Sequence, residues 1–311
     1  MNLGRALDAL VATDLDRTLI YSAAAAGVIE TAATGAAPIA AVPTQDAATE
    51  IAATEMWAQS VQCVEMYRGR PQSFMSPRAV ELLIELDRSA VVVPTTTRTI
   101  EQFSRVELPI PRDRRRPRLA VAANGGEILL DGVPDVDWRR EVDTRVAAGS
   151  APLAEVTERL WRHEADPWVR SLRVAQGLFC YAVVDLASMP ATLIDEWRGW
   201  AGERGWNVSR QGRKVYVMPD PLTKSAAIAE IRCRHDLTGG RFFATGDGVL
   251  DRPMLEAADR AIRPRHGELE ELSWHHPTLS VTKASGLDAG AELLETLLIW
   301  VREPTPDEET R

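Results

Sequence analysis

Cysteine is scarce: the 311 residues hold three, Cys63, Cys180 and Cys233, far apart and without a CxxC pair. Neither a zinc knuckle nor a disulfide framework is indicated, and a reducing cytoplasm suits such a chain. No run is long and apolar enough to span a bilayer. The N-terminus lacks the basic start and continuous apolar core of a signal peptide. Positive charge is in deficit, 36 Lys and Arg against 45 Asp and Glu, for a net −9. That excludes a general nucleic-acid binder, whose affinity for phosphate backbones rests on clustered Lys and Arg. Neither nucleic acid nor membrane is expected as a partner. The five histidines, His163, His235, His266, His275 and His276, show no ligand spacing, and none is assigned to a metal. The length suffices for a sizeable core in one large or two medium domains.

The most informative segment is VATDLDRTLI. Ala9 to Thr13 are small or apolar and read as a short buried strand, which places Asp14 where a parallel strand would release its chain into a loop. Ligands bind at that edge of open α/β sheets. Two carboxylates as close as Asp14 and Asp16 favour either a bound cation or a division into a charged nucleophile and a protonatable acid. A solvated turn with a helix cap is the bland alternative.

From Ala23 to about Ala58 the chain is dominated by Ala and Thr and broken by Gly27, Gly35, Pro38 and Pro43, so a loosely packed insertion or a flap over the site is expected. VQCVEMYRG and PQSFMS read as the arms of a hairpin around Arg68 and Gly69. SPRAVELLIELDRSA reads as a helix with Ser76 as N-cap and Pro77 at its first position. The strands AVVVPTTTRT and LAVAANGG follow, separated by the Arg-rich linker PRDRRRPR, a solvated loop or an anion site. Residues 127–212 form a separate pattern of strand, helix, two strands, helix and strand, holding six of the nine Trp. The earlier style resumes at RKVYVMPDPLTKSAAIAEIR, continues through RFFATGDGVLDRPMLEAA, and ends in a long helix. The expectation is an α/β fold: a doubly wound, mostly parallel core of residues 1–126 and 213–311, with an α+β cap of residues 127–212 inserted.

Four elements then fall at strand ends: Asp14 with Asp16, Thr95 to Arg98, Lys224 with its following helix, and Asp247 with Asp251. In order and chemistry they resemble the haloacid dehalogenase-like phosphohydrolases. DLDRT is similar to that family's first motif, TTTR to its second with Thr97 in place of Gly, LTKSAAI to its third and GDGVLD to its fourth. ANGG at residues 123–126, just before the insert, resembles the subgroup with a large α/β cap, which includes Cof-type sugar-phosphate phosphatases and sucrose-phosphate phosphatase. More loosely, RTIEQF and NGGEILLDG resemble members found with tellurium-resistance and stress proteins.

The resemblance implies an Mg²⁺-dependent phosphatase acting on a small phosphorylated metabolite. It makes Asp14 the nucleophile that forms an aspartyl-phosphate and Asp16 the acid and base. Thr96, Thr97 and Lys224 would bind the phosphoryl group, with Lys224 also holding Asp14 ionised. The metal would take the Asp14 and Asp247 carboxylates and the Asp16 main-chain carbonyl, with Asp251 completing the site through water or orienting Lys224. Arg98 is either structural or a remote phosphate contact. Arg170, Arg173 and Arg213 are chosen from charge alone as cap residues that meet the substrate. A phosphomutase, or a catalytically silent protein that binds phosphometabolites or a partner, shares the same motifs.

Overall fold

The computed structural model describes residues 8–27, 61–110 and 118–304. Fifteen strands occur among them. They are β1 (Ala9–Asp14), β2 (Tyr21–Ser22), β3 (Gln62–Tyr67), β4 (Arg70–Met75), β5 (Val91–Thr95), β6 (Leu119–Ala122), β7 (Glu127–Leu130), β8 (Val133–Pro134), β9 (Val169–Ala175), β10 (Phe179–Val184), β11 (Trp206–Gln211), β12 (Lys214–Pro219), β13 (Arg241–Thr245), β14 (Arg260–Arg263) and β15 (Leu279–Val281).

Eight of them make one sheet in the order β15-β14-β13-β1-β5-β6-β7-β8, parallel except at β7 and β8. Every residue of β1 is buried. Leu10 and Ala12 face the helix Lys224–Arg234 through Ala227, Ile228 and Ile231. Ala9 and Val11 face the helices Pro77–Ser89 and Leu287–Arg302 through Leu82, Leu86, Leu293 and Leu297. Covered on both sides, such a strand loses polar alternation and reads as a continuous apolar run. With parallel neighbours β13 and β5 on its two edges, β1 sits where the strand order reverses and a crevice opens. The helix Pro77–Ser89 begins as its sequence demands, with the Ser76 hydroxyl accepting from Ala79 N, a cap worth about 1 kcal/mol.

The boundaries of the insert differ from the expected 127–212. Glu127–Leu130 belongs to the large sheet, because β7 turns straight back along β6 with Leu119 opposite Leu130. Lys214–Pro219 belongs to the smaller sheet, of order β11-β12-β10-β9. It pairs antiparallel with β11 on one edge and β10 on the other. An interior strand of a covered antiparallel sheet is as apolar as a parallel core strand, so VYVMP alone does not separate the two. With β12 restored, the inserted unit is a helix and two strands, repeated: Leu153–Trp161 with β9 and β10, then Leu193–Gly202 with β11 and β12. A further helix, Val136–Gly149, precedes it and escaped the periodicity because it buries only Trp138 and Val142.

A third sheet, β2-β4-β3, flanks the core. Its hairpin turns at Arg68 and Gly69, both at positive φ (50° and 75°), as a two-residue turn requires. Residues 28–58 of the Ala-rich stretch and 111–117 of the Arg-rich linker lie outside the described residues. Among the described residues no helix is long and apolar enough to cross a membrane.

Candidate active site

Asp14 ends β1 opposite Thr95, the last residue of β5. Lys224 opens its helix behind the N-cap Thr223 and is fully buried. A cation in a first helical turn is opposed by the helix dipole, and here two carboxylates offset it. Lys224 Nζ lies 2.5 Å from Asp14 Oδ1 and 2.5 Å from Asp251 Oδ1. Burial works to strip the Lys224 proton, but Asp14 and Asp251 outweigh it and hold the pKa above the ordinary lysine range. Both oxygens of Asp251 are engaged, since its Oδ2 accepts from Asp247 N at 3.1 Å and Gly248 N at 2.9 Å.

Lys224 alone does not keep Asp14 ionised. Burial pushes the Asp14 carboxyl up to about 7, against the pull of Lys224 and with the help of Asp251 and Asp16. Asp247 is likewise pushed well above the carboxylate range, by burial first and then by Asp14 and Asp251. The remaining demand is for positive charge. Asp14, Asp247 and Asp251 are buried and each offers a carboxylate oxygen within 4.8 Å of the others. Hard oxygens so grouped suit a divalent cation such as Mg²⁺, which takes one or two carboxylates and keeps its waters. Gly267 makes space for this arrangement: at φ +96°, a Cβ there would stand 2.5 Å from Asp247 Oδ2. Arg17 Nε is 3.5 Å from the same oxygen.

Asp16 is not one of that trio. Arg98 grips both its oxygens, Nε to Oδ2 at 2.8 Å and Nη2 to Oδ1 at 2.7 Å. Burial raises the Asp16 pKa, but the Arg98 hydrogen bonds and charge prevail and hold it below the carboxylate range. Arg98 is itself anchored, with Nη1 2.8 Å from Glu65 Oε2. Glu65 is 5% exposed and accepts the Ser73 hydroxyl at 2.6 Å. Both come from the β3–β4 hairpin. Glu65 had no signal in the sequence beyond being a charged residue among apolar ones on a strand.

Thr96 is buried and its Oγ1 accepts from Arg98 N at 3.1 Å. Thr97 Oγ1 donates to Tyr216 Oη at 3.4 Å. That contact comes from the small sheet, which lies over the strand ends. Tyr181 and Tyr216 are directly paired across β10 and β12; the Tyr181 hydroxyl accepts from Gln102 Nε2 at 3.5 Å. On β11, opposite Tyr216, Ser209 Oγ donates to Glu268 Oε2 at 3.3 Å. Of the cap arginines expected at the substrate, Arg173 lies opposite Tyr181 and so shares its face. Arg170 is paired with Asp185 at 2.6 Å, and Arg213 is exposed in the β11–β12 turn. Lys214, two residues before Tyr216 and on its side of the strand, was not singled out.

Neither a protein-family model nor a curated protein matches the sequence. Solved structures do match. Sucrose-phosphatase from Synechocystis sp. PCC6803, solved with sucrose and phosphate, superposes with a TM-score of 0.58 and 14% identity, covering 96% of this chain and 98% of that one. The chain has the haloacid dehalogenase-like fold. Thermoplasma acidophilum 0175 superposes with a TM-score of 0.51 and 15% identity over 93% of this chain and 97% of that one. SMU.1108c from Streptococcus mutans UA159 does so with 0.51 and 12% over 94% and 99%. The agreement runs through both the core and the inserted unit.

Proposed function

We propose that this chain is an Mg²⁺-dependent phosphomonoester hydrolase of small phosphorylated metabolites, working through an aspartyl-phosphate on Asp14. The observation that carries this reading is the buried Lys224–Asp14 contact of 2.5 Å on the strand edge that also bears Asp16, Thr96 and Asp247. Lys224 is a cation at the phosphoryl position. Asp14 and Asp247 would hold Mg²⁺, which would supply charge that keeps the nucleophile ionised and offsets that of the phosphoryl group.

In the first displacement an Asp14 oxygen attacks phosphorus and the bond to the leaving oxygen breaks. Asp16 gives that oxygen its proton and an alcohol departs. In the second, Asp16 takes a proton from water as the water oxygen attacks phosphorus. The bond to Asp14 breaks and inorganic phosphate is released. Thr96, Thr97 and Lys224 bind the non-transferred oxygens; Asp251, with both oxygens committed, orients Lys224. Arg98 keeps Asp16 ionised at rest, so Asp16 must gain a proton before the first step. An arriving phosphate dianion favours this, since a like charge nearby raises a carboxyl's affinity for protons.

The small sheet over the strand ends excludes water during the first displacement and faces the alcohol portion. The matched sucrose-phosphatase is named for a sugar phosphate, and a sugar phosphate or a similar small ester is the substrate class proposed here. Asp14→Asn should abolish Mg²⁺-dependent phosphate release from p-nitrophenyl phosphate and from sugar phosphates. Release at the unmutated rate would overturn the assignment.

A further inference from the structure

We propose that Lys214 is a recognition residue for the leaving group and selects phosphate esters whose alcohol portion carries a second anionic group. This rests on the phosphatase reading for the word leaving group, though not for the binding it predicts.

Most cations around the strand ends are already matched. Lys224 is shared by Asp14 and Asp251, Arg98 by Asp16 and Glu65, and Arg17 stands against Asp247. Each of these already faces a carboxylate of the chain itself. Lys214 differs: it is half-buried, and among the described residues its side chain makes no ion pair or hydrogen bond. Its ammonium rests over the Tyr181 ring, 5.8 Å from the centroid. Leaving a cation partly desolvated and unpaired is costly unless something supplies the opposite charge.

Its placement says what that something is. Alternation along β12 puts Lys214 on the same side as Tyr216, whose hydroxyl touches Thr97 beside the phosphoryl position. Lys214 and Asp16 are also close enough for each to move the other's pKa, Lys214 being raised by the Tyr216 oxygen first and, against burial, by Asp16. The ammonium is thus held charged on the side where the leaving oxygen takes its proton. Arg173, across from Tyr181, places on that face a second cation without an ion pair among the described residues. The phenol rings of Tyr181 and Tyr216, with centroids 5.5 Å apart, form an apolar wall with hydroxyl tips, suited to a carbon chain or ring between the two anionic ends.

The test is a binding ratio, read in the Asp14→Asn background so that nothing turns over. Two pairs are titrated calorimetrically with Mg²⁺ present: 3-phosphoglycerate against glycerol 3-phosphate, and fructose 1,6-bisphosphate against fructose 6-phosphate. The first pair adds a carboxylate and the second a phosphate. In at least one pair the doubly anionic member should bind roughly tenfold tighter, as loss of one charge-assisted contact implies. Lys214→Gln should bring the ratio to about one, whereas Lys214→Arg should keep most of it. A ratio near one in the parent overturns the proposal, as does a ratio that survives Lys214→Gln. A general weakening from misfolding lowers both members of a pair and leaves the ratio standing, so it counts against the proposal too. Failure of the phosphatase reading is seen separately, as absent phosphate release by the unmutated chain.

Discussion

Arg98 closes a two-point fork on Asp16, Nε 2.8 Å from Oδ2 and Nη2 2.7 Å from Oδ1. The proposed acid is therefore held in its conjugate-base form by a cation that the β3–β4 hairpin anchors through Glu65. The family resemblance supplies both Asp16 and Arg98 but not their relationship, which exists only once β1 and β5 lie side by side.

Removing the fork should move the pH profile. Asp16 has a depressed pKa in the folded chain, so its contribution to stability is present above the unfolded value and is lost as pH falls through the folded one. Arg98→Met removes that contribution and raises the Asp16 pKa. The alkaline limb of kcat/KM, where the acid loses its proton, should shift to higher pH while kcat falls roughly tenfold. An unmoved limb in phosphate-release assays would mean that Arg98 does not set the protonation of the acid.

Lys224→Met tests the buried trio. It leaves Asp14 and Asp251 facing each other with no cation between them. Breaking a buried ion pair by removing one partner costs roughly 3–5 kcal/mol, and loss of a charge stabilising the transferred group lowers kcat at least about a hundredfold. Urea unfolding should show the loss most fully near pH 9, where Asp14, which takes up its proton at about 7 with Lys224 present, is ionised in the parent. It should shrink as pH falls to 7, where a carboxyl of the variant takes up a proton and the repulsion ends. A loss independent of pH would point to packing instead.

What the sequence made legible is what depends on near neighbours along the chain. Asp14 and Asp16 stand out because a strand end and two carboxylates fall within a few residues, and the Ser76 cap and the Arg68–Gly69 turn are equally local. The position of β12 was not legible, because burial on both faces erases the difference between an insert strand and a core strand. Val136–Gly149 was hidden for the opposite reason, having too few buried residues to show a period. Glu65 and Lys214 owe their importance to residues 33 positions away in the chain, Arg98 and Tyr181 respectively. No spacing rule reaches that far.

Metal dependence carries its own pH signature. Asp14 titrates near 7 rather than at its ordinary 3.8, so from about pH 4 to 7 the metal-free folded chain holds a proton that the unfolded chain has lost. Its stability accordingly declines as pH rises through that window and levels off above it. Mg²⁺ displaces the proton, and the stabilisation it gives should grow over the same range. Thermal melts with Mg²⁺ and with a chelator should differ little at pH 5 and most above pH 7. A difference that is flat or narrows with pH would remove Asp14 from the metal site.

Gly267 and Gly69 make a matched pair for testing the Asp247 position. Both have positive φ, +96° and +75°, so an alanine at either is strained, by roughly 1 kcal/mol or more. They differ in what a Cβ would meet: at Gly69 nothing within 4 Å, at Gly267 the Asp247 carboxylate at 2.5 Å and its main-chain oxygen at 2.7 Å. Gly69→Ala should therefore lower the melting temperature without changing the Mg²⁺ requirement. Gly267→Ala must push Asp247 aside, and displaced support around a ligand typically weakens metal affinity by tenfold or more. The Mg²⁺ concentration for half-maximal phosphate release should rise roughly tenfold in Gly267→Ala alone. Equal Mg²⁺ requirements in the two variants would show that Asp247 does not hold the metal.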